Sequence, residues 1–181
     1  MPIGLLGRKL GMSRIFDATG SVIPVTIIEA GPCPILQVKN KETDGYTAVQ
    51  VGFDPLPERK VNKPMAGHFK RAGVAPVRVV REFRTDDLEG LQAGQTLDLS
   101  LFEVGDKIDV IGRTKGRGFT SHIKRHNSSR GPESHGSMYH RRTGSLGASA
   151  DPSHVMQGKP MPGQYGNTRV TAQNLTIVEV D

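Results

Sequence analysis

An internal segment, residues 113–169, constrains the fold of this chain more than any other feature. It holds ten Lys and Arg residues against two acidic residues, with nine glycines and five of the six histidines. Its net charge is +8, whereas the rest of the 181-residue chain carries 14 basic and 16 acidic residues. Branched aliphatic side chains are too scarce in this basic segment for it to bury a core of its own.

A connection this long between two strands is far outside the usual range of loop lengths, which indicates a segment that is functional, disordered until bound, or both. Burial of its own side chains cannot offset the entropy lost on ordering. Phosphate is the natural counter-charge, so the segment is predicted to become ordered around nucleic acid. Folded RNA is favoured over DNA, because glycines let a backbone pass between closely packed nucleic-acid helices.

The flanking sequences, residues 1–112 and 170–181, have the pattern of short β-branched strands separated by turns. The predicted strands are 22–28, 35–38, 47–53, 77–83, 96–102, 107–111 and 169–180. One short helix is predicted near residues 63–72, because Asn62 can cap it, Pro64 fits its first turn and Gly73 can end it. The predicted fold is mainly β, a small antiparallel barrel with one short helix and a long irregular basic extension.

The residue types of the basic segment match an RNA partner. Arg side chains suit phosphate groups and base edges, Lys115-Gly-Arg-Gly118 offers two cations on flexible backbone, and Phe119, Tyr139 and Tyr165 could stack on exposed bases. The residues predicted to bind RNA are Arg113, Lys115, Arg117, Phe119, Lys124, Arg125, His126, Asn127, Arg130, His135, His140, Arg141, Arg142, Lys159, Gln164 and Arg169.

Composition favours a reducing, intracellular location. Cys33 is the single cysteine, so no internal disulfide can form. The first charged residues follow only a very short apolar stretch, unlike a secretory signal, and no apolar run reaches transmembrane length. We expect no membrane association, no cofactor and no small-molecule substrate.

Other interpretations of the basic segment stay open. It could be a solvated tail, or part of a free RNA chaperone or single-strand binder. The histidine pairs 122/126 and 135/140 have spacings that a metal could use, as a metal-dependent barrel enzyme would require. Adjacent cations and scarce carboxylates argue against a metal site, and the lack of an apparent catalytic triad argues against catalysis. We therefore predict no metal-binding and no catalytic residues. His68 and Cys33 are most simply packing residues.

Several stretches, in order along the chain, resemble the universal L-three family of large-subunit ribosomal proteins in its short bacterial form. The main one is Phe102-Glu-Val-Gly-Asp-Lys-Ile-Asp-Val-Ile-Gly-Arg-Thr-Lys-Gly-Arg-Gly-Phe-Thr-Ser-His-Ile-Lys-Arg125. The supporting stretches are residues 3–16, 62–69, 134–137, 140–147 and 161–171. The resemblance covers nearly the whole chain.

The resemblance implies a six-stranded translation-protein-type barrel with a long loop that enters large-subunit ribosomal RNA toward the peptidyl transferase region. It also implies binding near the 3′ end of that RNA, an early role in subunit assembly, a cytoplasmic or organellar ribosome, and neighbouring large-subunit ribosomal proteins as partners. The RNA, and not the protein, would carry the chemistry. The implied loop tip consists of Gly147, Ala148, Ser149, Ala150, Asp151, Pro152 and Ser153.

Three positions depart from the family pattern. Ser121 stands where the signature usually has Gly, so the local backbone is expected to differ there. His126 replaces a common Trp, which exchanges a large stacking surface for a smaller one. Ala150 stands where some bacterial members have a methylated Gln, so that modification cannot occur at this position.

Overall fold

The computed structural model describes residues 4–181, and within them the chain is mainly β, as the sequence predicts. The first three residues of the predicted body lie outside the described residues. Besides two short 3₁₀ turns at Glu58–Lys60 and Leu99–Leu101, the helices are α1 (Lys41–Asp44), α2 (Lys63–Ala72) and α3 (His122–His126). The strands are β1 (Gly7–Phe16), β2 (Val22–Ala30), β3 (Cys33–Lys39), β4 (Ala48–Pro55), β5 (Val77–Phe83), β6 (Thr96–Leu97), β7 (Lys107–Arg113), β8 (Phe119–Thr120), β9 (Gly163–Gln164) and β10 (Arg169–Thr176).

The chain divides into two compact units. Unit 1 comprises the chain up to Asp106 together with Thr176–Asp181, and unit 2 comprises Lys107–Leu175. The sequence pattern instead predicts boundaries at residues 113 and 169, as the limits of an RNA-binding segment. Those limits stay a prediction.

Unit 1 is built on a four-stranded sheet in the order β5-β4-β3-β6, with antiparallel pairing throughout. Successive side chains of a strand point to opposite faces, so the neighbours Ile35 and Leu36 of β3 enter two different apolar clusters. One cluster centres on Cys33, Ile35, Val49 and Val51, which are less than 2% exposed. Apolar side chains cover both faces of this sheet.

Helix α2 covers the face that carries Leu36. Phe69 and Ala72 of the helix are buried with Leu36 and Val77. The Asn62 side chain accepts a hydrogen bond from the Met65 amide at 3.0 Å, and the chain leaves the helix at Gly73 with φ of 68°. A glycine adopts this left-handed conformation without the steric cost of a Cβ, so the predicted cap and end of this helix are both confirmed.

Strands β1 and β2 form an antiparallel hairpin of their own, paired from Gly7↔Ala30 to Phe16↔Val22. Strand β1 was not predicted, because Arg8, Lys9 and Arg14 interrupt its apolar pattern. Among residues 4–181 the strands form four separate hydrogen-bonded sheets, none of which closes on itself. The closed barrel is therefore not seen in these pairings.

The strand predicted at residues 96–102 was too long, because only Thr96 and Leu97 pair with β3. Continuing this antiparallel ladder would bring Asp98 opposite Pro32 and Leu99 opposite Gly31. Pro32 has no amide to donate, and Gly31 has a left-handed φ of 68°. The ladder ends there and the chain turns into the 3₁₀ turn at Leu99–Leu101.

Candidate nucleic-acid interface

Unit 2 begins and ends in a two-stranded ribbon, formed by residues 107–120 and 163–175. Strand β7 pairs with β10, and β8 pairs antiparallel with β9. Between these pairs the Thr114 amide donates to the Thr168 carbonyl at 3.0 Å, and the Arg117 amide donates to the Tyr165 carbonyl at 2.8 Å. The ribbon therefore continues through residues 115–118, which were predicted only as flexible backbone.

One glycine of the ribbon is required by space as well as by conformation. Gly166 has φ of 70°, and a Cβ on it would collide with the carbonyl oxygen of Lys115. The return strand can approach the basic run this closely only because Gly166 has no side chain.

The predicted RNA-binding side chains are almost all exposed. Fifteen of the sixteen are exposed, and Arg125 alone is of intermediate burial. Phe119 is 81% exposed, which leaves its ring free for contact with a partner. Within residues 4–181, the only salt bridge of unit 2 joins Arg130 to Glu133. The positive charge of the unit is therefore largely unneutralised by its own acidic groups.

Two further cations of the ribbon contact the opposite strand. The guanidinium carbon of Arg117 lies 5.3 Å from the centre of the Tyr165 ring, a cation–π arrangement. Arg113 donates from Nη2 to the Asn167 carbonyl at 3.5 Å. Both side chains remain exposed, so each can meet a phosphate as well as its own neighbour.

Helix α3 follows β8 and groups three of the predicted residues. The Ser121 hydroxyl accepts from the Ile123 amide at 3.4 Å, and Ser121 has an ordinary φ of −58°. Ser121 thus caps the helix in an ordinary backbone conformation, which does not require the freedom of a glycine. Asn127 ends the helix with a left-handed φ of 56°. Lys124, Arg125 and His126 occupy the last turn.

His122 is a residue whose position the sequence did not reveal. Its side chain is 5% exposed, and its Nδ1 atom has no hydrogen-bond partner among the residues that the structure describes. The imidazole lines a cavity of about 240 Å³. A histidine among polar residues gives no sequence signal of burial. The sequence indicates His122 only as one member of the pair 122/126, whose spacing a metal could use.

In the irregular part of unit 2, residues 127–162, Tyr139 packs closely against Gly131 and Gly144. A Cβ on Gly131 would lie 3.0 Å from the Tyr139 Cβ, and a Cβ on Gly144 would lie 3.0 Å from its Cζ. The Gly131 amide donates to the His140 carbonyl at 2.7 Å, which holds the two stretches together. The glycines of this region therefore serve contacts within the protein, in addition to any contact with a partner.

The implied loop tip is a tight turn. The Ser153 amide donates to the Ser149 carbonyl at 3.2 Å, and the Ser145 hydroxyl donates to the Gly147 carbonyl at 3.0 Å. Residues 146–150 and 153–155 surround an open depression of about 440 Å³. Ala150 contributes to this surface a side chain that carries no polar group.

The part of the chain that the structure describes holds no group of three or more His, Cys, Asp or Glu side chains that could bind a metal ion. No helix among the same residues has the length and apolar character needed to cross a membrane.

Comparison with known proteins agrees with the resemblance. A sequence model of the family described as ribosomal protein L3 matches residues 81–181. The large ribosomal subunit protein uL3 of Desulfitobacterium hafniense is 54% identical over 178 residues, which cover 98% of this chain and 84% of that protein. The proteins of the same name from Carboxydothermus hydrogenoformans and Petrotoga mobilis are each 52% identical, over 100% and 98% of this chain and 86% and 83% of their own lengths. The relatives are named as ribosomal proteins and not as enzymes. On both the family match and these identities, the chain belongs to the ribosomal protein L3 family.

Proposed function

We propose that this chain is a structural constituent of the large ribosomal subunit that binds ribosomal RNA mainly through unit 2. One observation carries the proposal. All eleven buried apolar side chains of the described residues lie in unit 1, whereas the buried side chains of unit 2 are Thr120 and His122. Unit 2 combines this lack of an apolar core with a net charge of +8, so phosphate is the partner best suited to stabilise it.

The backbone of unit 2 supports the same proposal. Six non-glycine residues of the unit have positive φ: Asn127, His135, His140, Ser153, Asn167 and Asn174. Each such conformation costs of order 1 kcal/mol or more, and it persists only where the surroundings fix it. Four of these residues lie in 127–162, where no apolar side chain is buried. We infer that the shape of this region is completed by the RNA around it.

The finer features of the proposal come from the family. We infer that unit 1 forms the six-stranded barrel, that the RNA contact lies near the 3′ end of the large-subunit RNA, and that the protein joins early in assembly. The tip at residues 147–153 would reach toward the peptidyl transferase region. Other large-subunit proteins would be the neighbours of unit 1. The protein would be located in a bacterial-type ribosome of the cytoplasm. No catalytic step is assigned to the protein.

The decisive experiment is sedimentation of the tagged full chain from bacterial cells. We expect stoichiometric recovery with large subunits after a high-salt wash, and crosslinks from Arg141 to a single region of the large-subunit RNA. Recovery in ribosome-free fractions, with crosslinks scattered over unrelated RNAs, would contradict the proposal and favour a free RNA chaperone. Hydrolytic activity with stoichiometric bound zinc, lost in His135→Ala, would favour a metal-dependent enzyme instead.

A further inference from the structure

A small pocket in unit 2 lies beside the exposed cationic surface and shares Lys159 with it. Three stretches of chain meet there: the start and the C-terminal end of α3, the residues around Tyr139, and the return segment at Lys159. The cavity, called here the His122 pocket, has a volume of about 240 Å³. Its polar lining consists of His122, Ser128, Ser129, Tyr139, Thr143 and Lys159.

The buried histidine marks this pocket as a binding site. Most buried polar atoms have a hydrogen-bond partner, because leaving one unpaired costs free energy. The Nδ1 atom of His122 has none among residues 4–181, although the side chain is 5% exposed. Less than 1 Å² of the Nδ1 atom itself is accessible, so a ligand in the pocket that offers one donor or acceptor would satisfy this atom after a small rotation of the imidazole ring.

The lining indicates what kind of ligand fits. Hydroxyl groups and an imidazole nitrogen suit the mixed donors and acceptors of a base edge, the Tyr139 ring offers an aromatic surface, and the Lys159 ammonium suits a phosphate. The pocket is open on one side, and its volume of about 240 Å³ leaves room for one base.

A metal ion fits the lining poorly. His122 is the only imidazole among the lining residues, and neither a thiol nor a carboxylate accompanies it. Zinc sites need three or four such ligands. The cationic surroundings also oppose a divalent cation and favour an anionic group.

We propose that the His122 pocket receives a single unstacked nucleotide of the RNA, with Lys159 paired with its phosphate and the His122 ring turned so that Nδ1 is hydrogen-bonded to its base. The proposal rests on the proposed function, because the nucleotide belongs to the RNA that unit 2 binds. Single-stranded loops and bulges of RNA present such bases, and proteins read them by stacking and by hydrogen bonds to the base edge. The pocket would thus fix the register of unit 2 on its RNA.

Chemical probing of the base edges tests this inference. The probe is the full-length large-subunit ribosomal RNA of Desulfitobacterium hafniense, transcribed in vitro and bound by the full chain. We expect the wild-type protein to protect at least one base that His122→Ala leaves fivefold or more reactive, while the rest of the footprint stays unchanged. His122→Asn places an amide group near the position of Nδ1, so it should restore the protection.

Two further variants separate the pocket from its surroundings. Ser129→Leu fills the pocket with an apolar side chain, so it should expose the same base as His122→Ala. His154→Ala removes another histidine of unit 2 that does not line the pocket, so it should leave that base protected. A base that stays protected in both His122→Ala and Ser129→Leu would overturn the inference and leave RNA binding by unit 2 intact.

Two outcomes would have other meanings. A wild-type protein that leaves no footprint on the RNA would overturn both the proposed function and this inference. The protein could instead bind free uridine or adenosine monophosphate saturably below millimolar concentration and lose this binding in His122→Ala. That result would assign the pocket to a small-molecule ligand and overturn the inference that it holds a nucleotide of the RNA. We expect no such binding, because most of the affinity should come from phosphate contacts outside the pocket.

Discussion

Arg125 donates a hydrogen bond from Nη1 to the carbonyl oxygen of Met161, 3.0 Å away and 36 residues later in the chain. This contact ties α3 to the segment that leads into β9. It also brings the guanidinium against the backbone, since a Cβ on Gly163 would lie 2.6 Å from Nη1. Arg125 therefore stabilises the fold of unit 2, whatever contact its remaining donors make with RNA.

Replacing Arg125 by Ala should loosen unit 2 locally. A hydrogen bond from a charged donor contributes roughly 1.5–3 kcal/mol, so amides near 119–126 and 161–165 should exchange about ten times faster or more. Hydrogen exchange of the free protein measures this. Gly163→Ala should act in the same way by displacing the guanidinium, and the double variant should be no worse than either single one. Lys124→Ala, at an exposed neighbour on the same helix, is the control. Additive effects in the double variant would contradict the shared contact.

The contact of Tyr139 with Gly144 supports a comparison of two glycines. Gly144 and Gly158 both have φ of 81°, but a Cβ on Gly144 collides with Tyr139, whereas one on Gly158 meets nothing within 4 Å. Alanine at either position bears a backbone cost of about 1–2 kcal/mol, and only Gly144→Ala adds the steric cost. We expect Gly144→Ala to weaken RNA binding and speed amide exchange in 127–145 clearly more than Gly158→Ala. Equal effects would show that Tyr139 does not organise this region.

Strands β2 to β5 of unit 1 could be predicted because their β-branched residues favour extended backbone locally. Val77–Phe83 and the α2 boundaries were predicted to the residue, since β-branched runs and cap residues act locally. The end of β6 depends instead on Gly31 and Pro32, which lie far away in sequence. A local pattern carries no information about the strand that will lie opposite.

The site was predictable in chemistry and not in geometry. The charge pattern identified which cations are exposed, because unpaired cations stay in solvent wherever the chain runs. Neither the partner of Arg125 nor the burial of His122 could be predicted in this way. Both follow from the ribbon, which brings residues near 120 against residues near 162, and ribbon pairing across so long an interruption leaves no local signal.

Acid should destabilise unit 1 partly through Glu82. Its carboxylate accepts from Lys39 Nζ at 2.8 Å, Tyr46 Oη at 2.7 Å and Gln50 Nε2 at 3.0 Å. These donors, Lys39 above all, lower the pKa of Glu82 below its usual value. The resulting stabilisation is complete above the unfolded-state pKa of about 4.3, and it is lost as the pH falls through the lower folded-state pKa.

Urea unfolding at a series of pH values measures this contribution. The free energy of unfolding of the wild-type protein should fall between about pH 5 and pH 3, and it should fall less in Glu82→Gln. Lys39→Met removes the main donor, so it should flatten the same region of the curve. Identical pH profiles in the wild type and both variants would contradict the coupling.

Cys33 should report on the unfolding of unit 1. Its side chain is 0% exposed and its thiol lies 3.5 Å from the Leu6 carbonyl, and burial raises the pKa of the thiol. Both features suppress reaction with a thiol reagent, because only an exposed thiolate attacks the reagent. Labelling of the native protein should therefore be slow, and urea should accelerate it in parallel with the loss of β-structure. Rapid labelling without urea would show that β3 is not held in the core.

Salt should weaken RNA binding steeply if the exposed cations of unit 2 contact phosphate. With about six to eight contacts, a plot of log K against log salt should have a slope of roughly −4 to −7. Replacing Arg141 and Arg142 together by Ala should make the slope shallower by about 1.5, because two contacts are lost. Replacing Lys41 and Lys60, which are exposed cations of unit 1, should change it less. Filter binding to large-subunit RNA between about 50 and 300 mM salt measures the slope for the wild-type chain and for both double variants. Equal slopes for the two double variants would contradict the assignment of the phosphate contacts to unit 2.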